Sequence, residues 1–316
     1  MRRTFGYVLL TIGLLLVFMA PLAKFYVTPR IKKIPTDFYF REVAEGTASY
    51  IDPSKGLALV GPVPVQNVTT QRGDPDLSTD DVAVWDQFSG LFDTQNGHQI
   101  TVDVDKLTLD RRTAVSVDCC GQNEERTGSL TALFPIGTQK KTYSFWDFNA
   151  KQGYDAVYQE TTTLEGLTVY RFHQRIDPVQ IKTTRLLGTQ VGLTETSLVD
   201  LTWWYSADTD IWVEPVTGGV VKGSQTAEQW LEDSSGARRL TIAQVDATWN
   251  QDTVTRAVHD ANQQKTQLQL IQFLLPVYGW IAGIVLFVAG LVLLRRSPVR
   301  ARVRAAPPPA EAAHPI

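Results

Sequence analysis

The residues best suited to chemistry in this chain are two adjacent cysteines, four histidines and a group of aspartates. Cys119 and Cys120 are its only cysteines. Neighbouring Cα atoms lie about 3.8 Å apart across a trans peptide, less than the roughly 4.4 to 6.8 Å that a disulfide usually spans, so a bond between them would be strained. Three readings stay open: a vicinal disulfide marking a tight turn before Gly121, a buried or free thiol pair, and a redox or metal site. His98, His173, His259 and His314 are too scattered to supply the close-set donors of a zinc site. Asp74, Asp76, Asp80 and Asp81 offer oxygen ligands, but the glycine and terminal glutamate of a calcium loop are missing, and a solvated loop accounts for them. The sequence contains no G-x-S-x-G, H-E-x-x-H, Walker loop or G-x-G-x-x-G. We therefore expect no enzymatic activity and no cofactor.

What must position these residues is set first by two uncharged apolar runs. Residues 5–23, FGYVLLTIGLLLVFMAPLA, and residues 271–294, IQFLLPVYGWIAGIVLFVAGLVLL, are each long enough to cross a hydrocarbon core as a helix. The rival reading of the first run is a cleavable signal peptide, but the run exceeds the usual apolar region and Pro21 and Leu22 crowd the cleavage site. We expect it to be retained. Arg295, Arg296, Arg300, Arg302 and Arg304 follow the second run and predict a cytoplasmic tail, which places both termini inside. Lys24, Arg30, Lys32 and Lys33 beyond the first run argue the other way, but long translocated domains move largely regardless of charge.

Without the seven arginines and one glutamate of the two ends, the 30 basic and 33 acidic residues fall to 23 and 32, a net charge of −9. An acidic domain of this kind is not expected to bind nucleic acid. The expected partners are membrane lipids, a lipid or other apolar ligand, and an envelope protein.

Between the spans the patterning is mostly that of strands. HQITVDVDKLTLD alternates Ile100, Val102 and Val104 with Thr101, Asp103 and Asp105, which predicts a strand with the second set in solvent. AVSVD, LTVYRF, VQIKTTRLL and VDLTWWYS are further short runs of strand formers. DIWVEPVTGGVVKG reads as a hairpin turning through Pro215 to Gly219. RRLTIAQVDATWN changes phase once, which predicts a bulge or a strand end near Gln244. SQTAEQWLEDSSG reads as a short helix capped at Ser224 and ended by Gly236.

The expected organisation is a cytoplasmic N-terminus (1–4), a first span (5–23), an exoplasmic β-rich domain (24–253), a helical stalk (254–270), a second span (271–294) and a basic, disordered cytoplasmic tail (295–316). The fold class is mainly β, a barrel or sandwich-like domain between two transmembrane helices. The location expected is the cytoplasmic (plasma) membrane, with the central domain extracellular or periplasmic.

The segments DRRTAVSVDCCGQN (110–123), LFPIGTQKKTYSFWDFNA (133–150), EGLTVYRFHQ (165–174) and DTDIWVEPVTGGVV (208–221) occur in order across the domain. Together they resemble an actinobacterial family of two-span envelope proteins of unknown function, labelled the PorA porin family. The layout, with FPIGTQKKTYSFWD and LTVYRF, is also similar to the class B scavenger receptors, whose ectodomains carry lipid through an internal tunnel. The first likeness implies an envelope protein; the second implies a bound or conveyed lipid. A β-barrel porin crosses the bilayer with strands, so a pore built from two helices would need several copies. The alternative is an ectodomain that scaffolds an envelope assembly. Trp146, Asp147, Tyr170 and Arg171 are the positions in these segments expected to line a cavity, with Cys119 and Cys120 as a structural pair.

Overall fold

The computed structural model describes residues 2–27, 30 and 32–295, and the tail from 296 onward, with all but the first of its arginines, lies outside the described residues. The chain divides into two compact units, residues 30–269 and the two terminal stretches 1–29 and 270–316.

The terminal unit is a helix pair. Helix α1 (Arg2–Leu22) ends in a π-helical turn (Ala23–Val27), and a second π-helical turn (Leu270–Leu274) leads into α3 (Leu275–Arg295). Both helices are long and apolar enough to cross a membrane. They pack antiparallel through small residues spaced by sevens. A Cβ on Gly283 would sit 2.9 Å from the Leu16 Cβ and 3.0 Å from the Gly13 carbonyl, and one on Gly290 would sit 2.9 Å from the Gly6 carbonyl. Ala20 faces Gly279 at the other end. Small residues let two backbones approach closely where no hydrophobic force between helices operates. Phe5, Leu15, Phe18, Val285 and Val288 point outward and stay exposed, as side chains facing hydrocarbon do.

The larger unit is one antiparallel sheet of ten strands with α2 (Gln251–Gln269) packed on it. The strands are β1 (Tyr39–Asp52), β2 (Ala58–Gly73), β3 (Val82–Asp93), β4 (Gln99–Asp110), β5 (Tyr143–Asp147), β6 (Gln152–Leu164), β7 (Leu167–Leu187), β8 (Leu198–Val213), β9 (Val220–Glu232) and β10 (Arg238–Trp249). Their order, β4-β3-β2-β1-β10-β9-β8-β7-β6-β5, is two meanders joined where the last strand pairs with the first. At that seam Gly46 is obligatory, because a Cβ there would run into the Asp246 carbonyl.

The two sheet edges are themselves linked. Leu109 of β4 bridges Ser116, Val115 bridges Leu130, and Leu130 bridges Phe145 of β5. Backbone pairing therefore runs all the way round, and the sheet closes as a barrel does, leaving little raw edge. The main core accordingly draws on both ends of the strand order: Trp85, Leu107 and Leu109 from one side pack with Phe134, Phe172, Ile211 and Val213 from the other. Phe134 packs at a tilt against Phe172 with ring centroids 4.6 Å apart.

Three local expectations are corrected. The segment 224–236 is strand β9 and its turn: its flanking strands offer two complete ladders, and its middle residues pair with both β8 and β10. In β4 the alternation holds only in part: Thr101 and Asp103 are exposed and Ile100 packs on a buried cluster as expected, but Val102 and Val104 (67%) are also exposed and Asp105 is half-buried against Arg126. AVSVD forms only the isolated bridges that close the barrel. The β8–β9 hairpin forms as read, turning at Gly218 with φ +79°. The register shift in β10 falls between Thr241 and Ala243, just before Gln244.

Candidate functional site

Strand periodicity fixes what looks into the closed sheet. Phe38, Trp85 and Leu107 belong to the apolar core, with Phe38 stacked on Trp85 at 4.4 Å. Side chains two residues further along each strand share that face. The first such row is Phe40, Gln71, Gln87 and Asp105, paired in that order across β1 to β4. The next is Glu42, Thr69, Ser89 and Asp103. Above the apolar floor, then, the inward face turns polar from β2 to β4 in the first rung, where Phe40 is still apolar, and across all four strands in the second.

These rungs are hydrogen-bonded laterally. Gln71 Nε2 donates to Gln87 Oε1 at 2.9 Å. The Thr69 hydroxyl lies 3.3 Å from that of Ser89, which donates to Asn67 Oδ1 at 3.4 Å. The Glu42 rung runs from an exposed end at Asp103 through half-buried Ser89 and buried Thr69 to half-buried Glu42. Burial pushes the Glu42 carboxyl up to about 7 against the pull of Thr69. Burial, and then the neighbouring charge of Asp105, also raises Asp103. The rung thus offers carboxyl, hydroxyl and amide groups with negative charge at its open end.

A strap formed by residues 117–128 lies against β4 at Asp105, the end of the first rung. Asp105 is held by Arg126, which is itself buried beside the rings of Trp146 and Phe148 at 5.8 and 5.4 Å. Asn123 Nδ2 also donates to Asp105 Oδ1, at 3.2 Å. Glu124 pairs with Lys151 in the β5–β6 turn.

The residues singled out from the sequence lie as follows. Cys119 and Cys120 are bonded to each other, at the start of the strap. Trp146 and Asp147 sit at one end of β6, opposite Gly153 and Gln152, whereas Tyr170 and Arg171 sit opposite Thr161 and Glu160 near its other end. Eight residues of strand separate the pairs by roughly 25 Å, so the four do not border one site. Asp147 is buried, accepts from the Asn149 and Ala150 amides and from the Tyr205 hydroxyl at 2.8 Å, and shapes the β5–β6 turn. Burial raises its pKa in spite of those three donors. Tyr170 packs on the core, and Arg171 pairs with Glu160 and Asp210.

Among the aspartates of the 74–81 loop, Asp74 caps the turn by accepting from the Asp76 and Leu77 amides, and Lys33 reaches Asp80 and Asp81. No group of three metal-ligating side chains occurs among the described residues. His98 stacks on Tyr50, His173 contacts Asp208 and Asp210, and His259 lines a shallow cleft between α2 and the β6–β7 turn at Glu165 to Leu167.

The sequence reading missed the polar rungs. Their signal was present as single polar residues at alternate positions of β2 and β3, but Glu42 joins them only through the β1–β2 register.

Comparison with known proteins adds the family. The family model described as Porin PorA matches residues 5–292. This chain belongs to the Porin PorA family. A family relative, Porin PorA of Corynebacterium amycolatum, is 20% identical over 385 residues, covering 94% of this chain and all of the relative. Family membership and the two apolar helices make this a membrane protein.

Proposed function

We propose that this protein is a cell-envelope protein that binds or transfers an amphiphile of the membrane, taking its polar headgroup along the Glu42–Thr69–Ser89–Asp103 rung. The observation that carries this is the unbroken row of hydrogen-bonding groups on the inward face, reaching solvent at Asp103. Its carboxylates disfavour a bare phosphate and favour a hydroxyl-rich or cationic headgroup. The core clusters are filled by side chains, which supports a headgroup seat over a long apolar tunnel. The antiparallel helix pair supports two spans with both termini on the side of the arginine tail, the domain lying on the other side.

The test is native mass spectrometry of the full chain released from membranes, at energies that strip loosely bound lipid. A retained amphiphile that is lost in Thr69→Val/Ser89→Ala supports the reading; a retained water-soluble molecule, or none, overturns it.

A second reading, an ectodomain that docks an envelope partner, is favoured by the outward apolar face of β3 and β4. There Phe88, Val102 and Val104 are exposed on adjacent strands. The relative's name also invites a channel test. Single-channel steps in a planar bilayer from the purified chain, abolished by substitutions at the Gly13–Gly283 contact, would favour a pore built from copies of the helix pair.

A further inference from the structure

We propose that residues 117–128 form a redox-latched strap, held against β4 by the Cys119–Cys120 bond and released when a dithiol reduces it. Backbone bonds pin the two ends of the strap, from the Val117 amide to the Thr108 carbonyl and from the Gly128 amide to the Ser116 carbonyl, and between them it is fastened to β4 by side chains. The Thr108 hydroxyl, with one proton to share, lies between the Val117 carbonyl and, at 2.8 Å, Gln122 Oε1. The Lys106 amide donates to Asn123 Oδ1 at 3.1 Å, and Asn123 Nδ2 donates to the Val104 carbonyl at 3.2 Å. Arg126 pairs with Asp105 and donates to the Lys106 carbonyl. The contacts of Gln122 and Asn123 depend on where the turn at the cysteines aims those two side chains.

That turn is tight. The Gln122 amide donates to the Cys119 carbonyl at 3.2 Å, and both residues between them are left-handed, Cys120 at φ +60° and Gly121 at φ +81°. Glycine adopts this conformation freely, whereas for cysteine it is costly. The bond between adjacent side chains restricts Cys120 and opposes its return to an ordinary backbone. Without the bond, the single hydrogen bond that closes the turn, from the Gln122 amide to the Cys119 carbonyl, is left to oppose that cost. Cys120 is exposed and Cys119 half-buried, so a reductant can reach them.

The chemistry balances as thiol–disulfide exchange. One thiolate of the dithiol attacks a strap sulfur, breaking the Cys119–Cys120 bond and forming a mixed disulfide. The second thiolate then displaces that sulfur. The dithiol becomes a disulfide, two electrons pass to the strap, and each cysteine sulfur takes up a proton. Because the strap holds Asp105, two residues along β4 from Asp103, release frees the Asp105 carboxylate beside the open end of the seat proposed above. That consequence rests on the ligand reading, whereas the latch itself does not.

Hydrogen exchange on the full chain in detergent, oxidised and after treatment with dithiothreitol, tests the latch, with reduction verified by the mass of alkylated cysteines. Peptides covering 104–107 and 121–127 are expected to exchange roughly tenfold faster on reduction, the scale set by the left-handed penalty on one residue, while β7 and β8 stay unchanged. The Cys119→Ser/Cys120→Ser variant should match the reduced protein, and if it does not fold, reduction in place decides. Unchanged exchange in the fully reduced strap overturns the proposal, as does faster exchange throughout the sheet.

Discussion

Replacing Glu42 by glutamine should stabilise the β domain at alkaline pH and leave it unaltered in acid. In the folded protein burial lifts this carboxyl from 4.5 to about 7. The folded state therefore binds a proton more tightly than the unfolded chain between those two values, and stability falls as pH rises through that window and levels off above it. At about 1.4 kcal/mol per unit, the ceiling is about 3 kcal/mol. Glu42 is half-buried, so solvent screening brings the expected gain for Glu42→Gln at pH 8.5 to about 1.5 to 3 kcal/mol, vanishing below pH 4.5. The amide keeps the size of the carboxyl and an acceptor for Thr69. Urea unfolding of the full chain in nanodiscs, followed by tryptophan fluorescence from pH 4 to 9, reads the difference between the two proteins. A difference independent of pH, or a variant less stable above pH 7, would refute the claim that a desolvated carboxyl sits on the inward face.

Other substitutions probe other parts of the structure. Gly283→Leu should separate the spans, since even a Cβ there meets Leu16 at 2.9 Å; spin labels on α1 and α3 should report a distance increase of about 2 Å or more, because interfaces built on glycine lose close packing when it is filled. Tyr205→Phe removes one of the three donors to buried Asp147 and should cost about 1 to 3 kcal/mol in urea unfolding, with Asp147→Asn largely suppressing the loss. Lys265→Met leaves the fully buried Glu214 carboxylate without its cation at 3.8 Å and should destabilise the domain by about 3 kcal/mol, with Glu214→Gln as the rescuing change.

The parts of the fold legible in the sequence were those coded locally. Charge-free runs marked the two long apolar helices, and Pro215 to Gly219 gave a turn whose Gly218 has the positive φ that the residue type anticipates. The phase change in β10 marked a real bulge. What escaped is coded by pairing partners. Residues 224–236 have helix-compatible caps, yet two neighbouring ladders decide their conformation. Val102 and Val104 alternate as an inward-facing set would, yet they lie on an edge where the core has ended. The seven-residue spacing of Gly6 and Gly13 and of Gly283 and Gly290 was visible within each span, but its meaning depends on the two spans meeting. The polar rung is the extreme case: Glu42, Thr69, Ser89 and Asp103 span 61 residues of sequence and become neighbours only through three strand registers.

The most direct test of the account is a density map of the full chain purified from its own membranes. The account predicts non-protein density on the inward face between Glu42 and Asp103, with a polar group against Thr69 and Ser89 and an apolar tail leaving past the strap. A map in which that face holds only water or packed side chains would contradict it.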